Sequence, residues 1–184
     1  GNVIGGNKGK GIALNGNQAV VQGNFIGVAK DGATALGNLG EGIEVGSLSS
    51  LRDVTIGGLA EGAGNVIAFN GSTFNRPGLS VSNDDTGIAI LSNSILSNAG
   101  LGIDLAGNGV SLNDLGDDDV GPNNLQNFPV LNSVSTSANQ VTIAGTLNSQ
   151  PNSTYTLQFF AVAAADSSGH GEGQTLIGTA AATT

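Results

Sequence analysis

Apolar residues in this chain come in short runs. The runs are three to five residues long, rich in Val and Ile, and bounded by Gly, Asn, Ser or Asp. Such a pattern predicts short strands separated by turns. The runs fall into three types. The first is G-[I/L]-x-[L/V], at Gly11, Gly42, Gly78 and Gly102. The second is β-branched: Ala19-Val20-Val21, Val54-Thr55-Ile56 and Ile88-Ala89-Ile90. The third starts with Asn, at Asn2, Asn24, Asn65 and Asn93. They repeat in that fixed order, and the Asn starts lie 22, 41 and 28 residues apart. The shortest spacing sets the period. The longer ones carry insertions, at 28–41, 57–64 and 71–77. Self-similarity at this period signals a solenoid. Three strands per period, with no helical segment, make it a β-solenoid.

A single turn of such a solenoid cannot bury its own apolar residues. Stacked ~4.8 Å apart, each strand pairs with those above and below. Side chains alternate between faces along a strand. Ile12/Leu14, Ile43/Val45, Leu79/Val81 and Ile103/Leu105 are then predicted to point inward. Ala13, Glu44, Ser80 and Asp104 form the outward row. Asn tolerates left-handed corners and bonds its own turn. Stacked Asn side chains build amide ladders. One ladder is predicted from Asn2, Asn24, Asn65 and Asn93, a second from Asn7, Asn70 and Asn98. Phe25 and Phe69 lie in repeat strands and are expected in the core, whereas Phe74, before Arg76-Pro77, is expected at the surface.

The repeat stops after Leu105. The following stretch, 107–128, carries Asp114, Asp117, Asp118 and Asp119 within six residues. Asp117-x-Asp119-x-Gly121-x-Asn123 places oxygen donors at alternate positions, with a Gly for a sharp turn. Ca²⁺ takes several such oxygens at ~2.3–2.6 Å. Asp114, Asp117, Asp119 and Asn123 are therefore the candidate metal ligands. The loop departs from an EF-hand, since Gly121 replaces an acidic ligand and no Glu closes it. A solvated acidic linker, with Asp and Asn selected for turns, is the alternative. Beyond it, longer alternating runs at 130–136, 140–147, 153–163 and 174–181 predict antiparallel strands, with turns at 148–151 and 166–173. Their spacing suggests part of an immunoglobulin-like β-sandwich. An open edge there is liable to pair with another chain. The expected organisation is 1–106 solenoid, 107–128 acidic junction and 129–184 partial sandwich.

Composition removes several functions. Net charge is −9 with only 5 Lys and Arg, a poor match for phosphate backbones, so nucleic-acid binding is not expected. There is no Cys, hence no disulfide framework or thiolate metal site. No apolar run reaches the ~18 residues of a membrane span. Glycine, at 31 of 184 residues, follows strand corners and opens no phosphate-binding helix. His170 is the single histidine, flanked by Gly169 and Gly171. It reads as a hairpin tip rather than the base of a nucleophilic triad. Glycoside hydrolysis needs two carboxyl groups. Glu44 and Asp104, two strands apart on the outward row, would lie ~9.6 Å apart. That separation stands at the limit for an inverting pair, ~9.5 Å. The pattern already runs at Gly1 and still runs at Thr184, so the chain reads as a piece of a longer polypeptide.

The stretches QGNFIG, GAGNVIAFNG, NAGLGIDL and GPNNLQNFPVL resemble the right-handed parallel β-helix repeats of large secreted bacterial proteins. The likeness spans essentially the whole chain. It implies an all-β fold: a right-handed, single-stranded parallel β-helix of about four coils, followed by an antiparallel, partial β-sandwich. It also implies export, to the cell surface or beyond, and no particular enzyme activity. The expected role is a structural or adhesive segment stabilised by Ca²⁺. The alternative is a carbohydrate-active module that binds or hydrolyses polysaccharide, with Glu44 and Asp104 as its carboxylates.

Overall fold

The computed structural model describes residues 1–46, 48–164, 166 and 168–184. The chain runs β1 (Val3–Ile4), β2 (Ile12–Leu14), β3 (Val20–Val21), β4 (Phe25–Ile26), β5 (Ile43–Val45) and β6 (Thr55–Gly57). It continues with β7 (Val66–Ala68), β8 (Leu79–Val81), β9 (Ala89–Leu91), β10 (Ser94–Leu96) and β11 (Ile103–Leu105). A 3-10 turn at Pro122–Leu125 precedes β12 (Val130–Ser137), β13 (Gln140–Thr146), β14 (Thr154–Ala161) and β15 (Thr175–Thr183).

The first eleven strands form three parallel sheets, ordered β1-β4-β7-β10, β2-β5-β8-β11 and β3-β6-β9. Every strand thus pairs with the one three places on. This all-β arrangement is β-helix-like. The register is the one the repeats predict. Ile12, Ile43, Leu79 and Ile103 stack in one row, and Leu14, Val45, Val81 and Leu105 in the next. Ile4, Ile26, Ile67 and Ile95 make a third row, and Val21, Ile56 and Ile90 a fourth. These rows meet in one core, joined by Leu51, Val54 and Ile88 from the corners. Ile26, Ile43, Ile56, Ile67 and Leu79 are fully buried. Each such side chain contributes about 1.5–3 kcal/mol through burial. Rows lose cover at their ends: Ile12 and Leu14 are half-buried, and Ile103 is exposed.

Phe25 and Phe69 are not core residues. Both are only half-buried. Alternation along β4 sends Ile26 inward and leaves Phe25 on the outer face. Phe69 sits outside β7, at a left-handed corner with φ of 60°.

Both Asn ladders form. In the first, the backbone N–H and side-chain Nδ2 of Asn2 donate to Asn24 Oδ1 at 3.0 and 3.1 Å. Asn24 donates in the same way to Asn65, and Asn65 to Asn93. The second ladder holds a residue the spacing does not reveal. Asn38 lies between Asn7 and Asn70, and the order is Asn7, Asn38, Asn70, Asn98. The insertion between Ile26 and Asn38, closed by an antiparallel bridge from Val28 to Ala35, hides its phase. One glycine is required by contact as well as by turn geometry. Gly46 has φ of 79°, and a Cβ there would fall 1.9 Å from Asp85 Oδ2.

The four C-terminal strands form two separate antiparallel sheets among the described residues, β12 with β13 and β14 with β15. The β12–β13 hairpin is exposed almost throughout. The segment before β15 closes the last repeat. Glu172 accepts from Ser97 N–H, and its Oε1 takes both Asn98 N–H and Asn98 Nδ2 at 3.1 Å. Glu172 thereby occupies the next rung of the second ladder. Ile95 N–H donates to Gly173 O at 2.8 Å, and Ser94 Oγ to Gln174 O at 2.7 Å. Gln158 exchanges two bonds with Ser92. Ser167, inside the turn predicted at 166–173, lies outside the described residues.

Candidate functional site

The acidic junction brings the three carboxylates among its predicted ligands together. One carboxylate oxygen each of Asp114, Asp117 and Asp119 lies within 4.8 Å of the others. The side chain of Asn123, the fourth predicted ligand, is bonded to Ile88. Its Oδ1 accepts from Ile88 N–H at 3.0 Å, tying the 3-10 turn to the corner before β9. Two residues outside the prediction build the cluster. Asn127, almost fully buried, donates its N–H to Asp117 Oδ1 at 2.8 Å and its Nδ2 to Asp114 O at 2.8 Å. Ser149 donates to the second oxygen of Asp117. Asn127 stands inside the GPNNLQNFPVL stretch, but no spacing rule pointed to it. Ser149 comes from 32 residues away, brought in by the chain's return.

Asp117 is thus held on both oxygens. Asp114 and Asp119 are not: Asp114 Oδ1 and Asp119 Oδ1 are buried and have no hydrogen-bond partner among the described residues. Burial, then the charges of Asp114 and Asp117, push the Asp119 carboxyl above its usual range. Two unsatisfied anionic oxygens beside a third carboxylate are costly as they stand. They are also the hard donors that a divalent cation seeks. Asp114, Asp117 and Asp119 could hold a divalent cation such as Ca²⁺ between them.

The predicted outward row is aligned in register as Ala13, Glu44, Ser80 and Asp104. It is less open than expected. Glu44 is ion-paired with Lys10. Ser80 is buried with an unpartnered hydroxyl among the described residues. Asp104 is buried, and its carboxylate receives Gly109 N–H at 3.2 and 3.3 Å. The turn after β11 folds back over it, and burial raises its pKa against that bond. Ser80 stands between the two carboxylates, so they do not face each other directly.

Two cavities flank these groups. One, of about 860 Å³, lies where the last repeat meets the C-terminal strands, between Ile90, Ile95 and Leu105 on one side and Phe128, Tyr155 and Phe160 on the other. His170 lines it, edge-on to Phe128 with ring centres 5.6 Å apart. The second, of about 410 Å³, is lined by Phe74, Arg76, Asp104 and Asp166 among others. Phe74 is 84% exposed at its rim. Phe74, expected at the surface, and Asp104, a candidate carboxylate, therefore line one cavity. Among the described residues no helix is long and apolar enough to cross a membrane. No protein-family model, curated protein or solved structure matches this chain.

Proposed function

We propose that the chain is a stiff structural or adhesive segment of a larger extracellular bacterial protein. Its first part is a right-handed, single-stranded parallel β-helix of about four coils, and its last part a partial β-sandwich. The observation that carries this proposal is the pair of in-register Asn ladders running through every repeat. Such ladders couple each repeat to the next with hydrogen bonds that are buried beyond the first rung, which stiffens the stack along its axis. Ca²⁺ at Asp114, Asp117 and Asp119 would clamp the junction, and the two orphaned carboxylate oxygens support this. Hydrolysis is not favoured, because Glu44 is ion-paired with Lys10 and Ser80 stands between it and Asp104.

Thermal unfolding tests the clamp. After EDTA treatment, added Ca²⁺ is expected to raise the melting temperature by several degrees. Asp119→Asn should abolish most of that rise. An identical melting curve with and without Ca²⁺ would remove the metal from the proposal. A short contour and low stiffness in single-molecule pulling between the chain ends would remove the structural role itself.

A further inference from the structure

The insertion between β7 and β8 carries an unusual residue at its tip. Phe74 has φ of 65° and Asn75 φ of 51°. A left-handed backbone is strained for a bulky residue. Elsewhere such a corner can serve the fold. Ser97, with φ of 54°, places Asn98 in the buried ladder. Phe74 returns nothing to the fold, since its ring is almost wholly in solvent. Strain and apolar exposure at one position point to a role outside folding.

The cavity beside the ring has a definite chemistry. Its volume, about 410 Å³, lies within the ordinary range of small-ligand sites. Arg76 Nε sits 3.6 Å from Glu41 Oε1, which steadies the guanidinium while its side chain stays half-exposed. It therefore presents N–H donors on a fixed plane. Asp104 accepts from Gly109 and, as a carboxylate, keeps further acceptor sites. Asp166 adds a second carboxylate to the lining. A cationic ligand would meet Arg76, and an anionic one would meet Asp104 and Asp166. A neutral ligand with both hydroxyl donors and acceptors meets no like charge.

We propose, on the premise that the chain is an adhesive segment, that this cavity binds one sugar ring of a neutral glycan. The C–H face of the ring lies on Phe74, because an aromatic face is electron-rich and apolar C–H groups stack on it. Ring hydroxyls donate to Asp104 and accept from Arg76. The site binds without cleaving.

The test uses the full chain with soluble neutral gluco-, galacto-, manno- and xylo-oligosaccharides. A uronate oligosaccharide and tetramethylammonium serve as charged probes. Binding is read by saturation-transfer NMR and calorimetry. At least one neutral oligosaccharide is expected to bind at millimolar concentration or below. Phe74→Ala should weaken it by about tenfold or more, and Phe74→Trp should preserve it. Melting of Phe74→Ala should match the parent chain, since the ring contributes no burial. Three results would overturn the site: no neutral oligosaccharide binds, only a charged probe binds, or Phe74→Ala binds as well as the parent. A silent panel with Ca²⁺-dependent melting intact overturns the glycan site alone. Failure of the stiffness measurement above strikes the premise instead.

Discussion

Asn65 concentrates the ladder's contribution in one side chain. It is almost fully buried and receives the N–H and Nδ2 of Asn24, while its own amide donates to Asn93 and to Val21 O. Asn65→Ala removes an acceptor from two buried donors. The cost of a buried unsatisfied group is about 1–3 kcal/mol, so a loss of at least ~2 kcal/mol is expected in denaturant unfolding. Asn2→Ala removes an exposed end that only donates, and the loss there should stay below ~0.5 kcal/mol. Equal losses at the two positions would contradict the ladder's role. The sequence made most of these residues legible, because Asn2/Asn7, Asn65/Asn70 and Asn93/Asn98 keep a fixed offset. Asn38 escaped because the insertion at 28–37 breaks that offset. Asn127 and Ser149 escaped for a different reason. Their partners are fixed by packing across the junction, which no local pattern encodes. Phe25 was misplaced by weighing hydrophobicity above alternation.

Strands and their register were readable, since each repeat states its phase through G-I-x-L. The C-terminal strands were readable too, within a residue or two of β12 to β15. Their use was not. Glu172 and Gly173 add a partial rung to the last repeat, and nothing in Ser-Gly-His-Gly-Glu-Gly announces it. Without Glu172 the N–H groups of Ser97 and Asn98 would lose their acceptors at the end of the stack. Glu172→Ala is expected to accelerate amide hydrogen exchange at Ser97 and Asn98 by about tenfold or more, with little change at Asn70, because local opening then uncovers only the terminal repeat. Glu172→Gln keeps the Oε1 acceptor and should show a smaller effect. Uniform acceleration through all repeats would mean that the segment supports the fold globally rather than closing one end.

For the whole molecule, pH acts through a few displaced carboxyls. Burial raises the pKa of Asp85, which is fully buried and bonded to Leu51 N–H, and of Asp104. A carboxyl raised by folding holds its proton better folded than unfolded, so stability falls as pH rises from the unfolded value through the folded one. Asp31 runs the other way. The Thr34 hydroxyl and nearby N–H groups lower it from 3.8 to about 2, so its contribution is present above 3.8 and fades as pH falls toward 2. Melting temperature in EDTA should therefore be highest at about pH 4, where Asp31 is ionised and the raised carboxyls still hold protons, and should fall as pH rises further. A curve that climbs steadily to neutral pH would rule this out. The ladders have one more consequence at this scale. Every rung donates in the same chain direction, from Asn2 toward Asn93 and from Asn7 toward Asn98. Aligned amide dipoles add, as they do along a helix. The stack is an electrically directional object, with its positive pole at Asn98, where the Glu172 carboxylate sits, and its negative pole at Asn2 and Asn7, where an N–H donor or a cation is the complementary neighbour.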